Sequence, residues 1–250
     1  MDSGGPEDKE SNHVGHSGNT NSSSPGFHND GPNLSHTHSN KNDSIDGESQ
    51  SSGKNDLSSL LERVRGVSYN YSYLDHPADV ILLGEGESIR EALQSISVAL
   101  FNYMSDLSFV DPAHSKELEI SGRGLLNLLY HLLDECLYLY SSEYFIAKHV
   151  LIEEDLSLPP ALSAEQFNNH TFTFRAVAVG DYYNKLIHRS GTEIKAITMH
   201  YLNFNFWLGG RCYEYKNDME SHENTLELLS GLAANNHSIS RCSVYCLVDI

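Results

Sequence analysis

The stretch Tyr73-Leu74-Asp75-His76-Pro77-Ala78-Asp79-Val80 limits the architecture more than any other part of the chain. Val67, Tyr69, Tyr71 and Tyr73 alternate with polar residues, the period of a half-buried strand. The alternation stops at two carboxylates and an imidazole, and Val80 to Leu83 then runs apolar up to Gly84 and Gly86. Pro77 has no N–H to give to a ladder and biases His76 toward extended geometry, so residues 75–79 are read as a bend between two strands. An Asp in a bend often bonds its own backbone, but a bend at a strand end is also where side chains can converge on a ligand.

The remaining pattern alternates helix-like and strand-like segments. Leu57, Leu60, Leu61 and Val64 suit a short helix. Ser88-Ile89-Arg90-Glu91 has the form of a capping box, and Ile89, Ala92, Leu93, Ile96, Leu100 and Met104 fall on one face of the helix it opens. That helix ends within Asp106 to Pro112, and a short strand follows over Glu117 to Ile120. Leu125 to Tyr140 forms a second amphipathic helix, with Asp134 and Glu135 on its solvated side. Strands are expected at Phe145 to Ile152 and Thr171 to Val179. The Pro159-Pro160 stretch between them, Leu156 to Asn169, reads as a loop. Tyr182 to Ile187 would pair back across Gly180-Asp181 as a hairpin. Gly191 to His200 reads as one strand with Glu193 and Lys195 on the same side, followed by Tyr201 to Trp207. Residues 208–241 are polar and irregular and read as an insertion. Cys242 to Ile250 is an apolar final strand.

Composition separates a tail from a domain. Residues 1–56 are Ser, Asn, Gly, His and Asp with little apolar content beyond Val14, Phe27, Leu34 and Ile45, too little to offset the entropy of ordering, so they are read as a disordered tail. Residues 57–250 can bury one core. The formal net charge is −18; the tail holds three Lys against nine Asp and Glu, which leaves 13 basic and 25 acidic side chains, a net of −12, on the domain. Such a surface lacks the cations that phosphate backbones need, which argues against strong autonomous binding of nucleic acid and favours a basic protein partner or a cation. The four cysteines have neither a paired framework nor zinc spacing, so a reducing compartment is the default. No signal-peptide pattern opens the chain and no run of about 18 apolar residues occurs, so an intracellular protein of the cytoplasm or nucleus, off the membrane, is expected.

The final Leu247-Val248-Asp249-Ile250 keeps a buried-strand pattern to the last residue. If that strand lies beside the one leading into the 75–79 bend, Asp79, Asp249 and the Ile250 carboxylate converge. Their mutual repulsion would be relieved by a hard divalent cation, Ca²⁺ or Mg²⁺, with Mn²⁺ admissible and Zn²⁺ less suited unless His76 joins. Glu193 and Lys195 could stand around that cluster, one anionic and one cationic. In the plain alternative each acid is only a strand-end solubiliser. No Ser/His/Asp order, phosphate loop or Cys nucleophile motif is present, and Gly84-Glu85-Gly86 lacks the third glycine of a dinucleotide fingerprint.

Four separated motifs resemble the archease family: Tyr73 to Val80, the helix from Ser88 to Asp106 with Ala99-Leu100-Phe101-Asn102-Tyr103-Met104, Gly191 to Thr198, and Val248-Asp249-Ile250. Pro77 stands where the family usually has Thr. The resemblance implies an α+β fold, a single compact domain with two amphipathic helices on a largely antiparallel sheet. It implies a non-enzymatic accessory protein that activates an RtcB-type RNA ligase in tRNA splicing, promoting its guanylylation and repeated turnover, with GTP and tRNA halves met only through the ligase. It also implies that the metal-binding acids are Asp79, Asp249 and the carboxylate of Ile250, with Asp75, His76, Glu193 and Lys195 as the polar residues around them. A carboxylate-cluster metal-dependent hydrolase and an RNA or protein chaperone remain alternatives.

Overall fold

The computed structural model describes residues 56–159, 162–216 and 221–250. Apart from Asp56, the segment read as a tail lies outside them. Helix α1 (Leu57–Val64) buries Leu60 and Val64 against Leu151, Val177 and Val179. Strands β1 (Asn70–Asp75) and β2 (Val80–Gly86) form an antiparallel hairpin in which Tyr73 faces Leu82 and Asp75 faces Val80, so residues 76–79 are its turn. Helix α2 (Ile89–Met104) starts as its sequence dictates: Ser88 Oγ accepts from Glu91 N at 3.2 Å, while the Glu91 carboxylate accepts from Glu87 N at 2.8 Å. A 3-10 turn (Leu107–Phe109) leads to β3 (His114–Arg123), α3 (Gly124–Glu143) and β4 (Phe145–Ile152). Then come α4 (Ala164–Asn169), β5 (Thr171–Tyr182), the two-residue β6 (Ala196–Ile197), β7 (Asn203–Leu208), β8 (Arg211–Lys216), α5 (Ser221–Ala234) and β9 (Arg241–Asp249).

The fold class is α+β, built on two antiparallel sheets. One runs β1-β2-β9-β7-β8, with β6 on the end of β9; the other runs β3-β5-β4. Helix α2 lies between them, against β2 and β9 on one side and β4 and α3 on the other. This explains why its burial extends past the one predicted face: Val98, Ala99 and Phe101 are as buried as Ile96 and Leu100. The helix can approach β2 because Gly84 carries no side chain; a Cβ there would lie 2.6 Å from Ala92 O and clash with Ile96 N. Gly122 admits the start of α3 against β3 in the same way, its Cβ position colliding with Leu128 N. Among the described residues no helix is long and apolar enough to cross a membrane.

Several expectations are corrected. The Leu156 to Asn169 loop contains α4, whose capping box (Ser163 and Gln166 bonding each other's backbone) suffices to start a helix after the prolines. Tyr182 to Ile187 is no hairpin strand: β5 runs through Gly180 to Tyr182, and His188 N and Ile187 N fold back on Asn184 O as a turn. Only Ala196 and Ile197 of the 191–200 segment pair as a strand. The described parts of residues 208–241 are not irregular: β8 returns along β7, and α5 packs on β8 with Leu228 and Leu232 buried, while Thr225 Oγ1 and Tyr215 OH both donate to Asn168 Oδ1 on α4.

Gly84→Ala should cost about 3 kcal/mol by overpacking backbone against backbone, lowering Tm by roughly 6–12 °C; Gly66→Ala, at φ +76 with open space around it, should cost about 1 kcal/mol. Thermal melts of the two variants check this. A second expectation concerns pH. Burial, with a smaller contribution from Lys148, holds the His149 imidazole below its usual 6.5. The unfolded chain therefore binds this proton more readily than the fold does, so the contribution is complete above pH 6.5 and is lost as pH falls below it. His149→Gln should flatten that acid-side slope in urea denaturation between pH 5 and pH 7, ranges set by the reference imidazole value.

Candidate functional site

The site is set by the strands on either side of β9. Val80 on β2 faces Val248 on β9, both pointing into the core. Asp79 immediately precedes Val80 and Asp249 immediately follows Val248, so the two carboxylates stand at the same end of the strand pair, outside the buried layer. The strand beside β9 is therefore the one that leaves the bend, not the one that leads into it, a correction that preserves the expected approach of Asp79 and Asp249. From the opposite side β6 pairs Ala196 with Asp249, and Lys195 N donates to Asp249 O at 2.8 Å. Lys195 Nζ donates to Ile250 O at 2.8 Å. Thr198 completes the clamp, its N and Oγ1 both donating to Leu247 O at 3.2 and 2.8 Å.

His76 projects from the bend with Nδ1 3.5 Å from Asp79 Oδ2. That distance serves a charge pair if the imidazole is protonated but is too long for a hydrogen bond, and Nδ1 is screened from solvent without another partner. The ring meets Tyr201 edge-on, centroids 5.8 Å apart. Asp75 closes β1 opposite Val80 and is exposed. Of the predicted residues, then, Asp75, His76, Asp79, Asp249, Ile250 and Lys195 share one end of the sheet.

Glu193 does not join them. Because the 191–195 segment is not a strand, Glu193 and Lys195 are not presented side by side; Glu193 lines a recess of about 380 Å³ with Tyr140, Tyr144 and Tyr183. Among the described residues no group of three or more His, Cys, Asp or Glu is gathered tightly enough to hold a metal ion. The donors present are two carboxylates and a main-chain oxygen, all hard, next to an orphaned imidazole nitrogen. These donors are of the type a hard cation takes, but they make only part of a coordination shell, and water or a partner would have to supply the rest.

Two features escaped the sequence reading. Tyr201 adopts a left-handed backbone, φ 58, uncommon for a bulky residue, and is 63% exposed. Tyr144 and Tyr183 line the Glu193 recess and are exposed, and Leu186 and Ile187, a few residues further along the chain, are exposed as well, Leu186 by 87%. The available signal was the Leu186-Ile187 pair inside a segment otherwise dense in Asn, Lys, His and Arg.

Fold and site together define an α+β domain that presents carboxylates at a strand junction. The Archease protein family model matches residues 71–209. A protein archease of Ictalurus punctatus is 35% identical over 132 residues, covering 53% of this chain and 75% of that protein. An archease-like protein of Drosophila melanogaster is 37% identical over 129 residues, covering 51% and 75%. A protein archease of Pyrobaculum neutrophilum is 30% identical over 148 residues, covering 57% and 93%. The solution structure of a Methanobacterium thermoautotrophicum protein superposes with TM-score 0.46 at 17% identity, covering 72% of this chain and 98% of that one. The chain belongs to the archease family, a family of accessory proteins.

Lys195→Met should remove the exposed bond to Ile250 O at a cost under about 1 kcal/mol while speeding amide exchange at Val248 and Asp249. Hydrogen exchange read alongside a thermal melt checks both parts.

Proposed function

We propose that this protein is a non-enzymatic activator of an RtcB-type RNA ligase, working in tRNA splicing and RNA repair by promoting formation of the ligase–GMP intermediate and multiple turnover. The observation that carries the reading is the meeting of Asp79 and Asp249 at one end of the β2/β9 pair, fixed by Lys195 and Thr198, in a chain of this family. Asp79, Asp249 and the Ile250 main-chain oxygen would hold a divalent cation, Ca²⁺ or Mg²⁺ with Mn²⁺ admissible, which when bound supplies positive charge toward nucleotide phosphates in the partner. Lys195 holds the Ile250 oxygen in place, and the 76–79 turn sets the direction of Asp79. GTP and tRNA halves are met only through the ligase, in keeping with the chain's net charge of −18. The exposed side chains of Tyr144, Tyr183, Leu186 and Ile187 support a protein partner, since aromatic and aliphatic groups of this kind supply interface cores.

A reconstituted guanylylation assay with the matching ligase tests the reading. Asp79→Ala and Asp249→Ala should each lower stimulation of the ligase by about tenfold or more, the size of effect expected for weakened cation binding, with melting temperatures near that of the parent. Stimulation at the parental level in both variants would defeat it. Hydrolysis of a phosphodiester by this protein alone with Mg²⁺ or Mn²⁺ would instead favour the metal-dependent hydrolase.

A further inference from the structure

Away from the strand end, the six-stranded sheet has an outer face, opposite α2, where a groove of about 590 Å³ opens between the 199–203 loop and β8. Ile81 and Tyr245 contribute apolar lining, and Tyr201 is a further wall. The polar groups in it are unusual. Asn203 Nδ2 donates to Glu214 Oε1 at 2.6 Å, which fixes the amide orientation, because the reverse would set its oxygen against a carboxylate. Asn203 Oδ1 is thereby turned away, screened from solvent and without a partner. Glu214 Oε2 accepts from Lys216 Nζ at 2.9 Å. The groove thus holds a carboxylate lined by two tyrosines, its lysine already engaged, beside an orphaned amide acceptor that an incoming donor reaches once the Asn203 side chain turns.

The geometry points to an arginine side chain of a protein partner as the occupant. An orphaned acceptor requires a donor, a carboxylate favours a cation, and tyrosine rings favour a flat group; the guanidinium is all three, with donors forked widely enough to reach two acceptors. Lysine could meet the carboxylate but cannot stack. The chain's formal charge of −18 adds long-range attraction for a cation and repulsion for an anion. Residues 1–55 contain Lys9, Lys41 and Lys54 but no arginine, so that part of the chain cannot supply the group. The Glu214–Lys216 pair is partly exposed and weak, so an incoming guanidinium can share or replace the ammonium. The inference does not depend on the ligase reading.

The test titrates the full chain with the peptide acetyl-Gly-Arg-Gly-amide and its citrulline and lysine counterparts, following the Ile81 methyl and the Tyr201 and Tyr245 ring resonances. The arginine peptide should shift them saturably with a Kd on the order of 1 mM, the strength of a single anchoring side chain, and the citrulline peptide should not. Glu214→Gln should weaken binding at least fivefold, and Lys216→Met, which removes the competing cation, should tighten it. Asp79→Ala should leave peptide binding unchanged, which separates this site from the strand-end acids. Equal binding of arginine and citrulline peptides, weakening by Lys216→Met, or shifts produced by inorganic phosphate in place of arginine would each overturn the assignment. So would a parental chain whose groove resonances do not move. If the arginine peptide instead dissociates a self-associated form of the chain, the partner assignment fails in favour of a second copy.

Discussion

The structure depends on β9 being paired along both of its edges. One edge takes β2 over Val80 to Gly86; the other is shared, β7 pairing with Arg241 to Tyr245 and β6 with Val248 and Asp249. Its inward side chains, Cys242, Val244, Cys246 and Val248, are all buried against the layer that holds α2. A strand held in this way cannot slip by one residue, because a slip would send four core side chains outward and bring Ser243 and Tyr245 in. The position of Asp249 relative to Asp79 is therefore a consequence of core packing several residues away. Burial also keeps the two cysteine thiols of β9 protonated, Cys246 pushed up to about 12 and Cys242 higher still, so they behave as small hydrophobes.

Helix α2 transmits the same constraint to the second sheet. It sits on Gly84 from one side and meets β4 from the other, with Gln94 Oε1 accepting from Ile152 N at 2.9 Å and Ser95 Oγ donating to Glu85 O at 2.9 Å. The β1/β2 hairpin is tied to the helix as well, since Tyr73 OH donates to Ala99 O at 2.9 Å and accepts from Asn102 Nδ2. Burial keeps that phenol protonated, raised to about 12, so it acts as a fixed donor. The bend carrying His76 and Asp79 is thus mounted on a hairpin whose other residues are locked, a rigid base for a short polar turn.

What could be read from the residues follows from how local each cause is. The bend, α2 and α3 are written in turn chemistry, a capping box and three-and-four spacing, all decided within a few residues. The 191–198 segment misled because Ile194, Ala196 and Thr198 alternate like a strand, whereas its backbone partners are the two ends of other elements: Met104 and Tyr103 at the end of α2, then β9. Helix α5 was hidden by Gly231 and by polar residues at its start, though Leu228 and Leu232 have helical spacing; Gly231 is there because the Tyr213 ring packs onto it. At the site, Asp79 and Asp249 could be named because strand ends are visible in sequence. The parting of Glu193 from Lys195, and the groove on the outer sheet face, are products of tertiary pairing and had no local signature.

The loop between β6 and β7 joins the two places where this surface has unmet chemistry. It is pinned at one end by Thr198 on Leu247 O and at the other by Leu202, which is buried, leaving Met199, His200 and Tyr201 on the outside. Spanning that gap in so few residues drives Tyr201 to positive φ, a strain that persists only because both ends are over-determined. The consequence is a ring that lies edge-on to His76, beside Asp79, while also forming a wall of the groove. A group entering the groove and displacing Tyr201 would take the ring away from His76, whose Nδ1 has no hydrogen-bond partner of its own. Tyr201 belongs to both places, whereas Asp79 does not line the groove, so any coupling between them must pass through Tyr201 and His76.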